Sequence, residues 1–132
     1  MPFHLIRAAL AGSALLPLFA IAPAHAQPAP SFRATCADLR ARLDALEVDE
    51  DAWVVIDVVG TLRAVQHDGT LGYMLACEAP DPQVLCITYQ VDDYQPSDEV
   101  VLSGTLNRID NDHVSLDPCL HQPPDAEWRD YR

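Results

Sequence analysis

The sequence predicts a mainly β fold: a small closed barrel of five strands, preceded by one helix and held by disulfides. Three observations carry that prediction. From Trp53 onward apolar residues recur with a period of two, the signature of half-buried strands. The segment Gly60-Thr61-Leu62-Arg63-Ala64-Val65-Gln66-His67-Asp68 returns 44 residues later as Gly104-Thr105-Leu106-Asn107-Arg108-Ile109-Asp110-Asn111-Asp112. Each copy sets a glycine inside a β-branched run and ends in an Asp-rich turn, as a strand does that bends and then reverses. Finally, Cys36, Cys77, Cys86 and Cys119 are an even number in a small chain with an export-type N-terminus, which reads as two disulfides.

Residues 1–26 read as a secretory signal. His4 and Arg7 precede an apolar run over 8–21, and Ala24 and Ala26 fit an A-x-A cleavage site before Gln27. Pro17 interrupts the run, which is shorter than the roughly 20 residues that span a bilayer. The expected mature protein is periplasmic or secreted in a bacterium and has no membrane span. All 20 acidic residues follow the cut, there is no lysine, and the net charge is −12. Such a balance favours neutral or cationic partners.

The expected organisation is a linker and helix over 27–51, a barrel over 52–120 and a polar tail over 121–132. After a proline-rich lead, Thr35 and Asp38 match a capping box, and Cys36, Leu39, Leu43 and Leu46 recur at helical spacing. They predict a helix over 36–46 with Cys36 turned toward the protein body. The acidic run over 47–51 reads as a solvated connector. Strands are predicted over 52–66, 70–77, 84–91, 99–109 and 113–116. Turns fall at His67-Asp68-Gly69, over 78–83 and at Asp110-Asn111-Asp112, with a loop over 92–97. Asp117-Pro118 ends the last strand, and Trp128 in the tail is free to dock on the barrel.

Five strands with a bent first and fourth are the organisation of an OB-fold. The path Val84-Leu85-Cys86-Ile87-Thr88-Tyr89, then Val100-Val101-Leu102-Ser103-Gly104-Thr105-Leu106, then Val114-Ser115-Leu116-Asp117-Pro118-Cys119 resembles the tRNA-anticodon-like OB domains of exported bacterial proteins. Those domains carry a cysteine in the third strand, a valine-rich strand with one glycine, and a cysteine just past the last strand. Many have a Gly-Asp pair before the fourth strand, where this chain has Pro96-Ser97-Asp98-Glu99. The resemblance implies a bridge from Cys86 to Cys119, because the third and fifth strands close an OB barrel, and leaves Cys36 to Cys77. A rival pairing of Cys77 with Cys86 requires them to lie opposite each other across the 78–83 turn.

An OB-fold presents its second and third strands to ligand. Between Arg63 and Arg108 the only basic group is His67, while Asp68, Glu78, Asp81, Asp92, Asp93, Asp98 and Glu99 fall in that interval. This disfavours nucleic acid, whose binding needs cations that displace phosphate counterions. Tyr73, Tyr89 and Trp53 are the ligand-binding candidates. The period of two groups Tyr73 with Leu71 and Leu75, and Tyr89 with Leu85 and Ile87, which reads more simply as core aromatics with hydroxyls at the rim.

No catalytic residue, metal ligand or cofactor is expected. His67 and His113 adjoin turns, His121 lies in the tail, and Ser103 lacks a nucleophile elbow. No close thiol pair suits zinc, and Asp110-Asn111-Asp112 lacks the spaced carboxylates of a calcium loop. The reading is an exported, non-catalytic module of the cell envelope that binds a protein, peptide or small ligand, or serves structurally. The alternative is an oligosaccharide-directed binding protein or weak hydrolase that uses surface carboxylates such as Asp57, on the outer face of the first strand.

Overall fold

The computed structural model describes residues 12–19, 32–46 and 53–127. The expected cleavage site at Ala26, the acidic run over 47–51 and Trp128 lie outside the described residues. Residues 12–19 are exposed and carry no regular structure. Among the described residues no helix is long and apolar enough to cross a membrane.

The elements are β1 (Phe32–Thr35), α1 (Cys36–Asp44), β2 (Val55–His67), β3 (Gly72–Ala76), β4 (Gln83–Thr88), β5 (Glu99–Arg108) and β6 (His113–Gln122). The sheet runs β2-β3-β4-β6-β5, and β5 pairs back onto β2, so five strands close into an OB barrel with β1 outside the ring. Inward residues at alternate positions fill it: Ile56, Val58, Leu62, Met74, Val84, Cys86, Leu102 and Leu116 are at most 1% exposed.

Length lets β2 serve three neighbours. Its first half has β5 on one edge, Val55 opposite Thr105 through Thr61 opposite Glu99, and β1 on the other, Phe32 opposite Ile56 through Thr35 opposite Val59. Beyond a bulge at Arg63, β3 takes over the edge where β1 stops. β1 is not among the predicted strands, because four residues are too few to display a period.

The Thr35 hydroxyl accepts the Asp38 N–H at 3.3 Å and caps α1, which ends two residues short of its predicted limit. Leu39 and Leu43 pack into the barrel core. Arg40 donates to the carbonyls of Pro80 and Asn111, each at 2.8 Å, and to Asp112, while Arg108 donates to the Leu43 carbonyl. The helix is thereby tied to the β3–β4 turn and the β5–β6 hairpin.

Two expectations about the C-terminal part are corrected. β6 does not stop at Leu116 but runs through a cis Asp117-Pro118 bond to Gln122. Its pairing with β5 jumps from Leu106–Leu116 to Gly104–Cys119, and Pro118, which has no N–H to give, sits at that break. His121 and Gln122 are therefore strand residues opposite Leu102 and Val101, not tail.

Disulfides join Cys36 to Cys77 and Cys86 to Cys119, each with Cα atoms 5.4 Å apart. The hairpin pairing has no register to support it, because Cys86 lies opposite Met74 and Cys77 falls beyond the Ala76–Val84 pair. The repeated glycines serve these bridges. A Cβ on Gly60 would stand 2.7 Å from the Cys36 Sγ, and one on Gly104 would overlap the Pro118 carbonyl oxygen and stand 3.1 Å from the Cys119 Cα. Close approach, rather than a positive φ, is what demands glycine at both positions.

Candidate ligand-binding face

The register of β3 on β4 decides which side chains face solvent. Met74, Ala76, Val84 and Cys86 are fully buried, so their neighbours Tyr73, Leu75, Leu85 and Ile87 lie on the outside, each half-buried. Tyr73 is opposite Ile87, and Leu75 is opposite Leu85. Ala64 and Gln66 of β2 extend the row on one side and Ser115 of β6 on the other. This corrects the expectation that Tyr73 and Tyr89 belong to the core. A period of two defines two faces without saying which is inside, and here the bonded Cys86 takes the opposite face inward.

Four apolar side chains thus form a continuous outer patch on the two strands with which an OB-fold meets its ligands. The helix packs on β1 and β2 and at the barrel end, away from this patch. Tyr89, one residue past β4, is 77% exposed.

Hydrogen bonds hold the Tyr89 end of the patch in shape. The Gly69 N–H donates to His67 Nδ1 at 2.9 Å, so the His67 proton sits on Nε2, which donates to the Tyr89 carbonyl at 2.9 Å. His121 Nε2 lies 2.7 Å from the next carbonyl, Gln90, and its ring meets Tyr94 edge-on at 5.0 Å. Two histidines from the ends of β2 and β6 therefore fix the main chain that carries Tyr89.

Acidic groups border the same end. Asp68 accepts the N–H groups of Thr70 and Leu71, each at 2.8 Å, and the Tyr73 hydroxyl at 3.3 Å. The Leu71 and Thr70 N–H groups hold its carboxyl below the ordinary range, and its charge in turn raises the Tyr73 phenol. Val91 folds back onto Gly72, where a Cβ would stand 2.6 Å from its Cγ1, and so brings exposed Asp92 and Asp93 to this end. Desolvation, then Asp93 and Asp92, raise the Tyr94 phenol.

The remaining candidates do not join this face. Trp53 is 77% exposed but precedes β2, at the opposite end of that strand from Gln66, the partner of Tyr73. Asp57 is not a surface carboxylate. It is 7% exposed, takes the Ser103 hydroxyl at 2.5 Å on Oδ1, and meets the Arg33 guanidinium at 3.2 Å on Oδ2. Both its oxygens are engaged by β1 and β5, so this buried carboxylate is not presented on the surface to a sugar. Asp110 accepts the Asp112 N–H and faces His113 Nδ1 at 2.8 Å; these bonds hold its carboxyl below the ordinary range, as in a closed turn. Among the described residues no three His, Cys, Asp or Glu side chains gather to hold a metal ion.

A cleft of about 460 Å³ opens between α1 and the β5–β6 hairpin, lined by Arg40, Leu43, Arg108, Ile109 and Asp110 among others. It leaves no signal in the sequence, because it forms only where α1 docks. Its two guanidinium groups are already engaged by the carbonyls and carboxylate that anchor the helix.

No family model matches the chain, and no curated protein does either. Among solved structures the chain is similar to one from the S. pombe Stn1–Ten1 complex, with 13% identity and a TM-score of 0.38 over 52% of this chain. It spans 57% of that chain's length. The expectation that disfavours nucleic acid as a partner does not stand. Charge counted along a sequence excludes no ligand class of a barrel that serves oligonucleotides and oligosaccharides alike.

Proposed function

We propose that this protein is an exported, non-catalytic OB-fold module of the bacterial cell envelope, of the tRNA-anticodon-like type, that binds a protein, peptide or small ligand on the outer face of β3 and β4. The observation that carries this reading is the patch of Tyr73, Leu75, Leu85 and Ile87, with exposed Tyr89 at its end. The apolar run over 8–21, the A-x-A motif and two disulfides support export. The engagement of both Asp57 oxygens weighs against the glycosidase alternative.

The test is a pull-down from periplasmic extract with the mature protein and an Ile87→Ser variant, using Leu120→Ser, exposed on β6, as control. A partner or ligand retained by the wild type and the control but lost by Ile87→Ser supports the reading. Equal retention by all three overturns it, and single-stranded nucleic acid recovered on the same face would make that the ligand class instead.

A further inference from the structure

We infer that the occupant of the β3–β4 face is an extended cationic peptide segment, with apolar side chains on the patch and Lys or Arg side chains at its Tyr89 end. The inference rests on the proposed binding role of that face. β3 is paired on both edges, by β2 and β4, and β4 by β3 and β6. With no free edge to extend, the face must recognise side chains rather than add a strand.

Charge complementarity selects the cation. The acids around the patch are Asp68, Asp92 and Asp93 at one end, where Asp92 Oδ2 lies 3.5 Å from His121 Nε2, and Glu78 at the other; the one arginine of the β2–β4 region is Arg63, which lies 3.8 Å from Glu78. Asp68 keeps its charge through two main-chain N–H groups and so persists as an anion beside the Tyr73 hydroxyl. Tyr89, with its main chain pinned by His67 and its ring exposed, offers a π-face to an ammonium or guanidinium group at the same end of the patch as these carboxylates. An extended peptide of about six residues reaches about 20 Å, the length of a strand such as β4.

Binding is measured by fluorescence anisotropy on the mature protein with labelled peptides of about eight residues. Their sequences alternate Leu with Lys, Leu with Glu, and Ser with Lys, with oligothymidine as competitor. The Leu-Lys peptide is expected to bind at least about tenfold more tightly than either other peptide, and to weaken at about 1 M salt, where the Debye length falls to about 3 Å. Asp92→Asn with Asp93→Asn should weaken it about tenfold, and Ile87→Ser or Leu85→Gln should remove most of it. Asn accepts the left-handed backbone of residue 92, so the loop variant should fold.

Equal binding of the Leu-Glu peptide, still lost in Ile87→Ser, would end the cationic inference and leave the ligand face standing. Equal binding of the Ser-Lys peptide, or Leu-Lys binding unchanged in both Ile87→Ser and Leu85→Gln, would end both. Displacement of the Leu-Lys peptide by a lower concentration of oligothymidine would also overturn the inference.

Discussion

Tyr73 of β3 stands directly across from Ile87 of β4, and both side chains lie outside the barrel while Met74 and Cys86 fill it. Stability should report this division. Met74→Ala opens a cavity in a close-packed interior and should cost about 2 to 5 kcal/mol in urea unfolding. Ile87→Ser and Tyr73→Ser, each already half solvated, should cost no more than about 1 kcal/mol. The reverse order would mean that the faces are exchanged.

Arg33 and Asp57 join the outer strand β1 to the barrel, and Arg33 also donates to the Ala126 carbonyl at 2.9 Å. Truncating the arginine leaves a buried carboxylate without its counter-charge, so Arg33→Ala should destabilise by about 3 kcal/mol or more. Replacing both residues, as Arg33→Met with Asp57→Leu, should recover part of that loss. An Arg33→Ala cost near that of an exposed ion pair, about 0 to 1 kcal/mol, would show that β1 does not seal Asp57.

Gly60 lies under the Cys36–Cys77 bridge. Gly60→Ala forces a methyl against sulfur and should cost about 1 to 3 kcal/mol by overpacking. With Cys36→Ala and Cys77→Ala in place the sulfur is gone and most of that cost should vanish, although removing the bridge should itself cost about 3 to 4 kcal/mol for a loop of this length. An unchanged Gly60→Ala cost in the bridge-free background would mean that the glycine serves the backbone instead.

Acid should weaken the fold partly through Asp68 and Asp110. Their folded pKa values lie below the ordinary 3.8, Asp68 through the Leu71 and Thr70 N–H groups and Asp110 through the Asp112 N–H and His113. A depressed carboxylate contributes stability that is complete above its unfolded pKa and is lost as pH falls through its folded pKa. Asp68→Asn with Asp110→Asn should therefore flatten the fall in Tm below about pH 4. Parallel Tm profiles for wild type and variant over that range would contradict the assignment.

Much of the barrel was legible because long strands display their period: β2, β3, β4 and β5 overlap the runs in which apolar residues alternate. What escaped was short or relational. β1 has four residues, so neither it nor the burial of Asp57 beneath Arg33 leaves a trace in sequence. The outward turn of Tyr73, Leu85 and Ile87 did have a signal. Once Cys86 is bonded to Cys119 across the core, Val84 and Thr88 share its side, and Leu85, Ile87 and Tyr89 are left to the solvent. Reading the tyrosines by their apolar neighbours, without regard to that bond, inverts the face. Pro118 misled in the opposite way, since a proline at a break in pairing lets a strand continue where its sequence announces an end.

The most direct test of the ligand face is site-specific photocrosslinking in cells that produce the full chain, with a benzophenone side chain at position 87 or, as control, at position 120. Both lie on the outside of the barrel, Ile87 in the β3–β4 patch and Leu120, 68% exposed, on β6. Irradiation is predicted to yield a discrete adduct from position 87 and none from position 120. An adduct from position 120 with none from position 87 would contradict the account.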